Sequence, residues 1–195
     1  MPDHDILCEL FRKEARVALE DGDYGKKAVT LNEPKCDDHK GYSVVISNMP
    51  EDAVVIKGDA FPSPTTIFSN SRGECKRADF VIVANIPIKK KTRNLIIFIE
   101  MKKGKGGSEL EIIQQLKGAW CVIDYCRSIG QRFWKQESFL NPNDYDYRFV
   151  SIRDIAINKK PTRISPLDGL HDSPERMLKI NSPHHLQFKQ LVGAV

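Results

Sequence analysis

The sequence predicts a single α/β domain with a mixed central sheet flanked by helices. Two runs rich in β-branched and aromatic residues, KRADFVIVANI (76–86) and NLIIFIEMK (94–102), are separated only by PIKKKTR. Because this connection is too short for a crossover helix, the two runs are expected to pair as an antiparallel hairpin. A long amphipathic helix and another strand-like run, YRFVSIRDIAI (147–157), follow. This order of elements is typical of an α/β fold.

The N-terminal third is expected to form a helix and then short strands. Residues 3–20 carry apolar side chains at helical spacing, and Glu14 interrupts that core-facing stripe. Three strand-like runs follow, and a segment rich in Gly, Pro and Ser is expected to be a surface loop. The runs are 28–31, 42–47 and 53–57, and the loop is 58–74.

The long helix has a clear start signal. Ser108 and Glu111 form the S-x-x-E pattern of a capping box, and apolar residues then recur at helical spacing until about Gly130. Near the C-terminus, HLQFKQLV (185–192) is expected to form a short final helix. We expect a core domain over residues 1–157 and a C-terminal extension, 158–195, packed on the same domain.

The composition excludes several classes of protein. Of the 195 residues, 41% are hydrophobic and 29% are charged, which excludes disordered, collagen-like and membrane-spanning chains. The net charge of +4 favours polyanionic partners only weakly. The first residues are partly acidic and lack a long apolar run, so we expect no secretory signal, no membrane partner and a cytoplasmic location. The five cysteines are scattered and are expected to be reduced thiols.

Charged residues follow the two strands of the predicted hairpin. Since alternate side chains of a strand share a face, Glu100 and Lys102 lie on one side of the second strand. The hairpin would bring Asp79 of the first strand to the same end of the sheet. Two adjacent carboxylates form an oxygen site suited to Mg²⁺ or Mn²⁺. A neighbouring lysine can orient or deprotonate a water molecule, or stabilise charge on a phosphate.

These residues resemble the signature of the PD-(D/E)XK nuclease superfamily. Its pattern is an Asp on the second core strand and (Asp or Glu)-x-Lys on the third, which Asp79 and the EMK of 100–102 match. The resemblance covers roughly residues 1–157, and Ala78 stands where the name of the family has Pro. It implies a restriction-endonuclease-like αβββαβ core.

The resemblance also implies roles for individual residues. Asp79 and Glu100 would ligate the metal with the Met101 carbonyl as a further ligand, and Lys102 would position or activate the attacking water. Family members often add a Glu from the first helix, for which Glu14 is the first choice and Glu9 the second. Gln115 would correspond to the glutamine that RecB-like members carry, although their usual aromatic four positions later is Ala119 here.

Basic residues near the motif are candidates for binding nucleic acid. Lys103 and Lys105 flank the proposed site and could contact phosphates, as could Arg77. The sequence therefore predicts a metal-dependent nuclease, an endonuclease that acts on DNA in preference to RNA and that could cut duplexes as a homodimer. The alternative is a catalytically weak module of the same fold that binds nucleic acid or protein within a larger defence, repair or recombination assembly. A third hypothesis is a toxin-like nuclease that a partner subunit holds inactive.

Overall fold

The computed structural model describes residues 1–33, 41–88, 91–104, 107–155 and 170–193. The α-helices in these residues are α1 (Asp3–Leu10), α2 (Glu109–Phe133) and α3 (Phe188–Val192). The strands are β1 (Arg16–Val17), β2 (Glu20–Asp21), β3 (Lys27–Glu33), β4 (Tyr42–Met49), β5 (Val54–Lys57), β6 (Phe80–Ile88), β7 (Lys91–Lys103), β8 (Tyr145–Asp154), β9 (Leu178–Asn181) and β10 (His185–Gln187). No helix among the described residues is both long and apolar enough to cross a bilayer.

The strands form two mixed sheets, which confirms an α/β architecture. Sheet A has the order β1-β5-β6-β7-β8-β9, and sheet B has the order β10-β4-β3-β2. In sheet A the neighbours from β1 to β7 are antiparallel, whereas β8 is parallel to β7 and β9 is parallel to β8. The 25-residue helix α2 makes the connection between β7 and β8, as parallel neighbours require.

The predicted hairpin is confirmed. Strands β6 and β7 pair antiparallel with Phe80 opposite Ile99 and Ile88 opposite Lys91. Both strands therefore extend further toward the turn than the apolar pattern indicated, but β6 begins only at Phe80, so Asp79 precedes the strand in which it was predicted to lie. Side chains of β7 alternate between the two faces of sheet A, and both faces are covered, so the strand is apolar on both sides from Leu95 to Ile99.

Each face of sheet A has its own core. On one side, Leu95, Ile97, Ile99 and Met101 pack in a cluster with the inward side chains of sheet B and with α3. On the other side, Ile96 and Phe98 pack with α1 and α2. Glu100 and Lys102 continue the alternation on the helix-covered face of β7. They therefore lie at the C-terminal end of the strand, near the start of α2.

The predicted N-terminal helix over 3–20 is wrong beyond its first two turns. Helix α1 ends at Leu10, and Phe11 already has an extended backbone. A single 3-10 turn, Lys13–Ala15, leads into β1, where Arg16 and Val17 pair with Ile56 and Val55 of β5. Val17 has the right spacing for a helical stripe, but edge pairing with sheet A satisfies its backbone and determines its conformation.

The capped helix is confirmed at its start. The Ser108 hydroxyl accepts a hydrogen bond from the Glu111 N–H at 3.2 Å, and α2 continues to Phe133, three residues beyond the predicted end. Helix α2 passes very close to the segment before β6. A Cβ on Gly118 would lie 1.8 Å from the Lys76 carbonyl oxygen, so only glycine permits this crossing.

The C-terminal segment contributes strands that the sequence did not predict. β9 extends sheet A beside β8, and β10 pairs with β4 of sheet B, leaving only Phe188–Val192 of the predicted final helix as α3. Arg148 of β8 is only 2% exposed. Its Nε donates to the Val192 carbonyl at 2.7 Å, so a buried cation holds the end of α3.

Candidate active site

Asp79 lies immediately before β6 and reaches across to β7. Its own carbonyl accepts a hydrogen bond from the Gly58 N–H at 2.7 Å, which fixes the backbone beside the end of β5. Its Oδ2 accepts a hydrogen bond from the Met101 N–H, also at 2.7 Å. The carboxylate of Asp79 is therefore held between the backbone positions of Glu100 and Lys102.

Glu100 is the most deeply buried acid of this group. It is 0% exposed, and neither carboxylate oxygen makes a well-aligned hydrogen bond with the described residues. Lys102 Nζ lies 2.6 Å from Oε1 as an ion pair. Burial, and then the charge of Asp79, raise the pKa of Glu100 to about 8, although the Lys102 ammonium opposes the shift. The carboxyl is thus ready to exchange its proton for a cation near neutral pH.

The pKa of Asp79 is raised to about 6, chiefly by burial. The Met101 N–H and the Lys102 charge act in the opposite direction, while nearby carboxylates add to the increase. The charge of Asp79 raises the pKa of Glu100, because two neighbouring carboxylates resist carrying two negative charges. A divalent cation between them would remove that repulsion.

Lys102 remains an ammonium in this environment. Its side chain is 25% exposed. Burial lowers its pKa, but the charges of Glu100, Asp79 and Glu33 outweigh burial, and the net shift is upward. The structure therefore favours a charged Lys102 over a neutral amine that could act as a base.

Two acids near the site were missed by the sequence analysis. Glu33, the last residue of β3, is half-buried with an unbonded Oε2, and burial raises its pKa against the pull of Lys102 and Lys103. Asp59 lies exposed in the 3-10 turn Gly58–Ala60 that follows β5. Both raise the pKa of Asp79. Glu33 could have been found from its alternation with Val29 and Leu31, but the strand was predicted to end at residue 31.

The acids expected from the first helix lie elsewhere. Glu14 is exposed on the 3-10 turn Lys13–Ala15, so the helical stripe that singled it out does not exist. Glu9 accepts a hydrogen bond from Trp134 Nε1 at 2.8 Å, which ties it to the far end of α2. Among the described residues, neither Glu14 nor Glu9 therefore joins Asp79 and Glu100 in a group that could hold a metal ion.

The remaining candidates have mixed environments. Gln115 is half-buried on the face of α2 that carries Ile112 and Ala119, and its Oε1 lacks a hydrogen-bond partner among the described residues. Arg77 uses one guanidinium nitrogen for the carbonyls of Lys76 and Glu74, at 2.6 and 3.2 Å, while its Nε is buried and unbonded.

Of the two lysines proposed as phosphate contacts, only Lys103 lies among the described residues. Lys103 is half-buried at the end of β7, where the backbone and charge of this residue lower the pKa of Glu33. Lys105 lies outside the described residues.

The donor set suits a hard cation but is small. In the part of the chain that the structure describes, no group of three or more His, Cys, Asp or Glu side chains is arranged to hold a metal ion. The site instead offers the Asp79–Glu100 pair, in which the buried Glu100 oxygens make no hydrogen bond with other described residues apart from the ion pair to Lys102. Such desolvated carboxylate oxygens are the ligands that Mg²⁺ and Mn²⁺ prefer, so these residues fit a single divalent ion.

Comparison of the chain with protein-family models, with curated proteins and with solved structures returned no match in any of the three.

Proposed function

We propose that the protein is a metal-dependent nuclease that hydrolyses phosphodiester bonds, with DNA as the favoured substrate. The proposal rests on one observation: Asp79 Oδ2 is held 2.7 Å from the Met101 N–H, beside a fully buried Glu100 that pairs with Lys102. This placement supports the resemblance of Asp79 and the EMK of 100–102 to the motif of the PD-(D/E)XK superfamily. The order of α1, β5, β6, β7, α2 and β8 supports, as a further part of the proposal, a restriction-endonuclease-like core.

Asp79 and Glu100, with the Met101 carbonyl, would hold the Mg²⁺ or Mn²⁺ ion. When bound, the ion would supply Lewis-acid polarisation of the phosphate and stabilisation of the leaving oxygen. The chain's own residues prepare this site. The Met101 N–H orients Asp79, and the covered strand keeps Glu100 away from water, so that its charge acts in a medium of low dielectric constant.

Lys102 would act as a fixed positive charge. Its raised pKa keeps the ammonium protonated, and a charged amine can orient the attacking water and stabilise the negative charge that develops on the phosphate. General-base catalysis by Lys102 would instead require a lowered pKa. The proposal therefore assigns electrostatic and positioning work to this residue.

A binding module without strong catalysis is the second candidate. It is favoured by the absence, among the described residues, of a third metal-ligating side chain beside the acid pair, and by the ion pair that Lys102 already makes with Glu100. In that case the same surface would bind nucleic acid or a partner protein, and the acid pair would only maintain the local fold.

Incubation with nucleic acid distinguishes the two candidates. Supercoiled plasmid, labelled DNA oligonucleotides and RNA are incubated with the protein in Mg²⁺ or Mn²⁺, with a chelator control. The nuclease predicts metal-dependent cleavage that Asp79→Asn and Glu100→Gln abolish and that the exposed Glu14→Gln retains. Binding without cleavage in every condition would contradict the nuclease and support the binding module.

A further inference from the structure

A cavity of about 400 Å³ opens beside the proposed active site, at the edge of sheet A. Its lining includes Arg16 of β1, Lys57 at the end of β5, and Phe80 at the start of β6. Lys57 and Phe80 are register partners, and in an antiparallel pair such residues share a face. Phe80 follows Asp79 directly but packs in the core between the sheets, so the cavity lies at the same end of β6 as Asp79, toward the opposite face of sheet A.

Both basic residues of this cavity lack partners. Among the described residues, neither the Arg16 guanidinium nor the Lys57 ammonium makes a side-chain hydrogen bond or ion pair, and the Nε of Arg16 is also buried. A buried donor without an acceptor is costly, so an anion that accepts from Arg16 would stabilise this arrangement. Thr30 and Asn32 add neutral polar groups to the same lining.

The acid in the lining does not neutralise the cavity. The lining contains one acid, Asp59, which is exposed, and two cations, Arg16 and Lys57. The cavity therefore has a net positive charge. Asp59 follows Gly58, whose N–H donates to the Asp79 carbonyl at 2.7 Å, so this wall of the cavity adjoins the backbone of Asp79.

A second cavity, of about 500 Å³, continues along the same edge. It shares Arg16, Val17 and Ala18 with the first, and its lining adds Lys13 and Lys27. Lys27 pairs with Asp21 at 2.6 Å, whereas Lys13 is exposed and makes no side-chain ion pair with another described residue. The lining of the second cavity also holds the acid Glu51 against the cations Lys13, Arg16 and Lys27, so a net positive charge extends from the end of β5 along the short edge strand β1.

We infer that the Arg16–Lys57 cavity binds a backbone phosphate of the nucleic-acid strand, at the same end of sheet A as Asp79 and Glu100 but toward the face that sheet B covers. This inference rests on the proposed function, because it takes the substrate class from it. The guanidinium donates in pairs to phosphate oxygens, and the ammonium adds a point charge. The strand would then continue over β1 toward Lys13, so that the edge of sheet A determines the direction in which the substrate crosses the site.

Binding without metal tests the inference separately from cleavage. A fluorescein-labelled single-stranded DNA oligonucleotide is titrated with full-length protein in chelator at several salt concentrations, and anisotropy is measured. Arg16→Gln and Lys57→Gln are each expected to weaken binding about tenfold, as loss of a hydrogen bond to a charged group does. Each should also lower the slope of log K against log salt by about 0.7.

The matched control is Arg132→Gln, which removes the same charge from an exposed position near the far end of α2 and should leave the affinity unchanged to within about twofold. Arg16→Lys keeps the charge and should restore the salt slope, which a purely structural role for Arg16 would not produce. Inorganic phosphate, the other source of the same chemistry, should not displace the oligonucleotide at matched phosphate concentration.

Equal dissociation constants and salt slopes for wild type, Arg16→Gln and Lys57→Gln would overturn the inference, as would displacement by inorganic phosphate at matched concentration. The proposed nuclease function is tested separately, by cleavage rather than by binding. If these variants weaken binding but no metal supports cleavage, the inference stands and the nuclease fails. If Asp79→Asn abolishes cleavage while binding is insensitive to both substitutions, the nuclease stands and the inference fails.

Discussion

The carboxylate of Asp79 accepts a hydrogen bond from the backbone N–H of Met101 at 2.7 Å. The two residues are 22 positions apart in the chain, and the contact crosses from the start of β6 to the end of β7. It locks Asp79 beside a strand end at which Glu100 is buried and Lys102 is ion-paired. One backbone donor thus assembles the acid pair, and the chemistry proposed for the protein depends on that assembly.

The raised pKa values predict a stability that falls as pH rises. Between pH 4.5, the ordinary pKa of a glutamate, and about 8, the folded protein holds a proton on Glu100 that the unfolded chain has released. Unfolding therefore releases a proton, and the free energy of unfolding decreases across this range, by up to a few kcal/mol. Urea denaturation at several pH values without metal measures the decrease.

Glu100→Gln provides the control for this prediction, because the amide is similar in size and does not titrate. The variant should lose most of the decrease between pH 5 and about 8. A wild-type protein whose stability rises over the same range relative to the variant would show that Glu100 is ionised and stabilised when folded.

Substitution of Lys102 separates a charged role from general-base catalysis. Because the raised pKa of Lys102 keeps the amine protonated, Lys102→Gln should lower kcat by ~10²–10³-fold, the cost of one electrostatic stabiliser. Lys102→Arg keeps the positive charge and cannot deprotonate, so it should retain activity within about tenfold of wild type. Single-turnover cleavage rates measure both. An Arg variant as inactive as the Gln variant, with a pH profile that lost its basic limb, would favour the base.

Gly118→Ala should disturb the site from a distance. A methyl group at this position would overlap the Lys76 carbonyl, so α2 and the segment before Asp79 would have to separate, at a cost of ~1–3 kcal/mol. Thermal unfolding measures the loss, and cleavage should fall with it. Cys121→Ala, on the exposed side of the same helix, should change neither the thermal stability nor the cleavage rate. An effect of equal size in Cys121→Ala would contradict the role assigned to Gly118.

Leu191→Ala tests how far the C-terminal segment stabilises the fold. Leu191 is 0% exposed and packs in the core between the sheets, while its carbonyl bonds to the ring of His171 at 2.8 Å. Truncation of such a buried leucine should lower the free energy of unfolding by ~2–5 kcal/mol. Lys189→Ala, exposed on the same helix, should cost less than about 0.5 kcal/mol. A Leu191 variant as stable as wild type would show that α3 is not anchored.

The parts of the fold that were predictable are those fixed by local patterns. Alternation along residues 94–102 placed Glu100 and Lys102 on one face, and the short connection gave the hairpin that brings Asp79 near them. The capping pattern at Ser108 likewise depends only on neighbouring residues. These features needed no knowledge of distant partners.

The parts that failed depend on pairing between distant segments. Arg16 and Val17 were predicted to be helical, but they form an edge strand that pairs with β5. Glu14 does not face the core because the helix ends at Leu10. His185–Gln187 pair with β4 in the same way. Glu33 was missed because β3 was predicted to end at residue 31, and its proximity to Lys103, about 70 positions away in the chain, arises only when the sheets pack.

Binding of Mn²⁺ tests the central claim most directly. The electron paramagnetic resonance signal of free Mn²⁺ is followed as protein is added at pH 8, where the pKa of Glu100 allows ionisation. The account predicts one Mn²⁺ bound per chain in wild type and in Glu14→Gln, and none at the same concentrations in Asp79→Asn or Glu100→Gln. Equal Mn²⁺ binding by wild type and Glu100→Gln, or none by wild type, would contradict it.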